Sequence, residues 1–261
     1  MPALDGRLAI LTHAGSEFVS AVAAELGQAG ARLVIADEDG ALAKRVVATL
    51  TRNGIAAVSC QAGLNRVEIE AAVHAVQTRD GIPTILVNLP GIVNTAVSSL
   101  DLSEAEFRHT IENSLIHDFL WCQAVGRLML EHRSEVSSVI VNITALSALG
   151  GWPGWLAQSA AFGAVHNLTH TLAAEWANQG VRVNALVSGV TDTLMQEIER
   201  SRPNSVLKRI PVGRLATAQD VAKALLYLVH PAASYVSGEI LRVDGGWDSW
   251  GRLHAVAPKE Q

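Results

Sequence analysis

Only two tyrosines and two cysteines occur among the 261 residues. The cysteines, Cys60 and Cys122, form no CxxC pair and are too few for a disulfide framework, so a reducing compartment, the cytoplasm, is expected. Long apolar runs are missing too. No stretch reaches the roughly 18 residues that span a bilayer, and the opening MPALDGRLAILTH lacks the basic start and apolar run of a signal peptide. The Asn-x-Thr triplets at Asn142 and Asn167 therefore carry no glycosylation meaning. Charged residues are sparse, at 17%, and 20 Lys+Arg against 25 Asp+Glu leave a net charge of -5 with no basic block. Neither nucleic acid nor a membrane is an expected partner.

What is present is a chain 49% hydrophobic, long enough to bury a large core. Short apolar, β-branched runs alternate with longer segments of helical period, the pattern of βα units that build a parallel sheet. Strands are expected at Leu8–Thr12, Leu33–Asp37, Ala57–Cys60, Ile85–Asn88, Val139–Ile143, Val181–Leu186 and Ile240–Val243. Each is apolar throughout, as a strand covered on both faces must be. Helices are expected over Glu17–Ala29 and Ala41–Arg52, stopped by Gly30 and by Asn53-Gly54. Capping boxes at Ser103–Glu106 and Thr217–Asp220 open two more, the first running to about His132. The expected fold is α/β, one doubly wound domain of about seven parallel strands over residues 1–251, with a polar tail at 252–261.

The downstream motifs are Gly180-Val181-Arg182-Val183-Asn184-Ala185, Ser188-Gly189-Val190-Thr191-Asp192-Thr193, Pro211-Val212-Gly213-Arg214-Leu215, Ser234-Tyr235-Val236-Ser237-Gly238-Glu239 and Val243-Asp244-Gly245-Gly246. In these the sequence closely resembles the classical short-chain dehydrogenase/reductase family, which implies a Rossmann-type fold from roughly residue 6 to 247. The family binds NAD or NADP through three glycines in a TGxxxGxG turn after the first strand. There the backbone approaches the pyrophosphate and the next helix's N-terminus attracts it.

Here that segment reads Thr12-His13-Ala14-Gly15-Ser16-Glu17-Phe18-Val19, which places His13, Glu17 and Val19 at the three glycine positions. Val19 brings bulk, and Glu17 brings a carboxylate to a site meant for phosphates. Two like charges about 4 Å apart at an effective dielectric near 20 repel by roughly 4 kcal/mol, about three decades of affinity. Glu17 itself is expected to stand near the helix N-terminus and occupy the phosphate site. Asp37 ends the second strand where the family's acid meets the adenosine ribose, but an Asp there is also an ordinary turn residue and reads as a remnant. Ala62 matches the adenine-contacting Asp. Asn88-Leu89-Pro90-Gly91 keeps only the ends of the family's NNAG motif, and Thr193, which would face the nicotinamide, is retained. No cofactor is expected for this chain; NAD is expected in an active partner.

The resemblance also implies a catalytic Tyr, a Lys four residues later, a Ser and an Asn. Register from Ala160, Val165, Glu175-Trp176 and Val181–Asn184 places Gln158 at the Tyr and Phe162 at the Lys. Counting back puts Ala145 at the Ser, and Phe119-Leu120 puts Ser114 at the Asn. An amide does not titrate near neutrality and a phenyl ring supplies no charge, so this set cannot run acid–base hydride chemistry. Sliding the register does not help, because Tyr227 and Tyr235 both lie in the C-terminal region.

Three other features invite a sharper reading. His166 and His170 lie four apart on a helix, a spacing that can ligate metal, yet no third ligand is evident and no metal is expected. His117 and Asp118 are adjacent, so on a regular helix they point different ways and read as packing or interface positions. Trp152 and Trp155 flank Pro153-Gly154 where the family contacts substrate; they either line a surviving pocket or, the favoured reading, fill the space a nicotinamide would use.

The segments that form subunit contacts in the family keep their character: Ser103 to about His132, Gln158 to Gln179, and Thr217 to Trp247. The chain is therefore expected to be a pseudoenzyme, a structural or regulatory subunit assembling with an active paralogue in a hetero-oligomer, most plausibly a tetramer. The alternative is a repurposed isomerase, cyclase or lyase using the old cleft without hydride transfer, with Ser114, His117, Gln158 and Ser159 as candidate groups. A ligand-binding sensor is the third reading; it lacks a separate effector domain.

Overall fold

In a computed structural model the described residues are 3–91, 96–133, 137–199 and 206–249; the expected polar tail lies outside them. Seven parallel strands form one sheet: β1 (Leu8–Leu11), β2 (Arg32–Asp37), β3 (Ala57–Gln61), β4 (Ile85–Asn88), β5 (Ser138–Ala145), β6 (Val181–Ser188) and β7 (Ile240–Val243), in the order β3-β2-β1-β4-β5-β6-β7. Every expected strand is present. Strands β5 and β6 are longer at their C-terminal ends, and those added residues carry Thr144, Ala145 and Ser188 to the rim of the sheet.

The inner strands bury both faces, while the edge strands β3 and β7 are only partly buried. Ala9 and Leu11 face one layer with Leu33, Ile35 and Val87, against α1 (Val19–Gln28) and α8 (Ala218–Val229). Leu8 and Ile10 face the other, with Val34, Leu86 and Ile140, against α3 (Arg66–Asp80), α5 (His117–Glu131) and α6 (Leu156–Trp176). The alternation by one residue between layers is the period-2 geometry of a strand. Helix α2 (Gly40–Arg52) completes the first half, α4 (Glu104–Ile111) precedes α5, and a short α7 (Asp192–Glu199) follows β6. Helices α3 and α7 escape the sequence reading, because α3 has little amphipathic contrast and α7 is only eight residues long.

The single helix expected from Ser103 to about His132 is interrupted. Its capping box forms as expected, but residues Glu112–Ile116 make a π turn between α4 and α5. A π turn adds a residue to the helical phase. Side-chain directions after it are rotated relative to those before it.

Buried Arg7, just before β1, locks the N-terminal edge of the sheet. Its guanidinium donates to the carbonyls of Thr84, Ser137 and Val229 and to the Thr84 hydroxyl, tying β1 to the approaches of β4 and β5 and to the end of α8. Arg7→Ala leaves those acceptors unsatisfied, and a loss of about 2–3 kcal/mol in urea unfolding is expected. A change under about 0.5 kcal/mol would show that water replaces the guanidinium at no cost.

Candidate functional site

From β1 the chain builds β2 and β3 on one side, then crosses to β4 on the other. The strand order therefore reverses between β1 and β4, and a crevice opens beyond their C-terminal ends. Two cavities occupy it, of about 810 and 350 Å³. His13, Asp37, Ala62, Ser114 and His117 border the larger, Glu17, Ala145, Thr191 and Thr193 the smaller, and Gly91, Gln158, Phe162 and Trp155 both. Most of the sequence-selected positions thus converge on one cleft, while Val19, Asn88, Asp118, Ser159, His166 and His170 border neither cavity.

His13 has φ 54°, a left-handed backbone uncommon outside glycine. The turn keeps the conformation a glycine would adopt there, while adding an imidazole. A Cβ placed on Gly91 would stand 3.5 Å from that ring, so the two loops close on each other across the mouth of β1 and β4. Val19 begins α1 and is buried in the core. Glu17 directly precedes the N-cap of α1 and lines the smaller cavity. Helix α1 has no side-chain cap, and the Glu17 carboxylate instead accepts a hydrogen bond from the Thr191 hydroxyl at 2.9 Å. This bond ties the turn after β1 to the loop after β6, across the smaller cavity.

The other cofactor positions serve the scaffold. Asp37 accepts from the Asp39 N–H at 2.8 Å, and Asp39 caps α2, so Asp37 acts as a turn residue. Ala62 is buried and its N–H donates to the Asp37 carbonyl. Asn88 donates to Asn142 at 2.9 Å, and Asn142 to Thr169 at 3.0 Å, a fully buried strut from β4 through β5 to α6. Thr193 lines the smaller cavity from α7.

At the catalytic positions, Gln158 accepts a long hydrogen bond from the Ser147 hydroxyl, at 3.5 Å. Phe162 is buried, Ala145 ends β5, and Ser114 sits in the π turn. None of these four side chains titrates near neutrality. Trp155 is buried beside them, while Trp152 stacks on Trp247 with centroids 5.6 Å apart, beneath the Arg209 guanidinium. Trp155 borders both cavities and Trp152 the smaller, so the aromatics line the cleft that remains.

His117 and Asp118 approach each other, although neighbouring residues on a helix diverge. Both are 4% exposed and lie together, with His117 Nδ1 3.6 Å from Asp118 Oδ1. Both open α5 directly after the π turn and both are buried, as packing positions would be. His117 stacks against His13 at 4.1 Å, and its Nε2 accepts from the Trp121 indole at 3.0 Å. Burial depresses both imidazoles to about 4, each further adjusted by neighbouring charges, and pushes the Asp118 carboxyl up to about 7. Sequence reasoning missed this cluster because His13 and His117 come from segments distant in the chain. His166, by contrast, meets the Thr144 hydroxyl at 2.9 Å, a partner supplied by β5.

A doubly wound sheet with its crevice at the β1/β4 reversal defines a Rossmann-type protein. Residues 18–248 match a family model described as enoyl-(acyl carrier protein) reductase. Galactitol 2-dehydrogenase (L-tagatose-forming) of Cereibacter sphaeroides is 35% identical over 254 residues, covering 95% of this chain and 97% of the relative. D-threitol dehydrogenase of Mycolicibacterium smegmatis is 32% identical, covering 94% of each chain. The crystal structure of a putative NAD(P)-dependent gluconate 5-dehydrogenase from Beutenbergia cavernae, with bound NADP, superposes with a TM-score of 0.86 at 29% identity, over 95% of this chain and 100% of that one. The chain belongs to the classical short-chain dehydrogenase/reductase family.

The family implies a nicotinamide dinucleotide in this cleft, and the residues present do not fit one. A carboxylate bonded to Thr191 crosses the smaller cavity, and the His13 ring closes on Gly91. Phosphates brought near Glu17 would meet like charge in place of open backbone N–H groups.

Proposed function

We propose that this chain is a non-catalytic member of its family, a structural or regulatory subunit that assembles with an active homologue. The observation that carries this reading is the pair Gln158 and Phe162. An amide bonded to Ser147 and a buried phenyl stand where a proton donor and a cation would be needed. The Glu17–Thr191 bond supports it from the cofactor side. Exposed Ile116, Tyr227 and Tyr235, 41%, 50% and 102% exposed, all fall in the segments that form subunit contacts in the family, and leave apolar surface for a partner. The arrangement resembles the two-subunit 2-[hydroxy(phenyl)methyl]succinyl-CoA dehydrogenase, in which an inactive subunit accompanies an active one. NAD would then reside in the partner.

Co-expression with family members from the same source, followed by purification and native mass measurement, is expected to yield a defined mixed oligomer, a tetramer by family habit. Alcohol oxidation should require both chains. A chain that purifies only as a homo-oligomer would favour a second reading, non-redox chemistry in the former cleft. The observation on its side is that cavities of about 810 and 350 Å³ stay open and the larger is lined by His13 and His117.

A further inference from the structure

We propose that His13, His117 and Asp118 form a binding site for a divalent transition-metal ion of the zinc type, opening on the larger cavity. One nitrogen from each imidazole and one Asp118 oxygen lie within 4.8 Å of one another. His13 Nε2 and His117 Nδ1 are both buried and have no hydrogen-bond partner. A buried polar atom without a partner is costly, so two such atoms on rings clustered with one carboxyl group point to a missing third party. Two imidazoles and one carboxylate suit zinc, cobalt or nickel better than magnesium or calcium, which prefer oxygen alone. Three protein ligands with the fourth position left to water is the arrangement of an open zinc site.

The protonation states agree. Burial keeps both rings neutral at pH 7, with lone pairs available, and leaves Asp118 a buried acid that a dication would ionise. The geometry is close to a ligand set. Bonds of 2.0–2.2 Å at tetrahedral angles put ligand atoms about 3.3 Å apart. The His117–Asp118 pair is already at 3.6 Å, and capture asks the two rings to splay from their 4.1 Å contact.

Trp121 opposes capture and makes the proposal specific. Its indole N–H donates to His117 Nε2, which leaves the ring proton on Nδ1 in the metal-free protein. A metal at Nδ1 moves that proton to Nε2, where it faces the indole N–H. Loss of one neutral hydrogen bond is small beside coordination by three ligands, so the metal wins when present. Removing the indole donor must therefore tighten binding.

The test uses the untagged, metal-stripped full chain titrated with Co²⁺, read by calorimetry and by visible absorption. One equivalent should bind with ligand-field bands, raise the melting temperature, and be reversed by chelator. His13→Ala and His117→Ala should weaken binding at least tenfold, His170→Ala should leave it unchanged, and Trp121→Phe should tighten it severalfold. His13→Gln, at the cleft wall, keeps the test decisive should the helix variants fail to fold. Absence of Co²⁺ binding by the native chain would overturn the site. So would binding that survives His13→Gln, or binding lost in His170→Ala, which would locate an adventitious surface ion only.

Discussion

Titrated with NADH or NADPH up to millimolar concentration, the isolated chain is expected to give no saturable heat and no enhancement of nicotinamide fluorescence. A dinucleotide entering the cleft must break the Glu17–Thr191 bond, displace the His13 ring from Gly91, and hold its phosphates beside a carboxylate. Like charges about 4 Å apart cost roughly 4 kcal/mol at an effective dielectric near 20, close to three decades in affinity. The double variant His13→Gly/Glu17→Gly removes the ring and the charge and restores glycine at the left-handed position. A gain of about a thousandfold in affinity is expected for it, with Val19 left in place because it is part of the core. Micromolar binding by the native chain would end the pseudoenzyme reading. A double variant no tighter than the native chain would shift the blame from charge to the bulk of Val19.

The second large effect belongs to Asp118. Burial raises its carboxyl from 3.8 to about 7, opposed mainly by His13; Cys122 also faces it, and Asp37 acts on the two imidazoles. None of these groups is a cation at neutral pH. An acid whose folded value lies above its unfolded value favours the protonated native state. Stability is therefore unaffected below about pH 4 and falls as pH rises from 3.8 to about 7, where the loss levels off. Each unit is worth about 1.4 kcal/mol, so Asp118→Asn, which keeps the shape and cannot ionise, should gain roughly 2–4 kcal/mol at pH 8. Urea unfolding with chelator present should show this gain at pH 8 and none at pH 4. An equal difference at both values would mean that the carboxyl titrates normally.

These two predictions draw on unequal foresight. The negative features at the cofactor and catalytic positions were readable residue by residue, because the family resemblance of the flanking motifs sets their register. Gln158, Phe162, Ala145 and Ser114 all reach the cleft or its wall as that register implies. The Glu17 contact was not readable, since its partner Thr191 lies 174 residues away and only the β1-to-β6 spacing in the sheet brings them together. The approach of His117 to Asp118 was not readable either, because neighbouring residues on a helix diverge and only the burial of both side chains brings them within 3.6 Å.

The sequence by itself determined the layered α/β architecture, the seven strands and the groups that stand where the family does its chemistry. The architecture and strands depend on local periodicity, carried within each segment, and the groups at the chemical positions follow from the family resemblance of the downstream motifs. Tertiary structure alone decided which groups meet: His13 against His117, Glu17 on Thr191, Asp118 without a cation. Such contacts arise from strand order and burial, and a parallel sheet whose strand order reverses between β1 and β4 brings together residues that no sequence window contains.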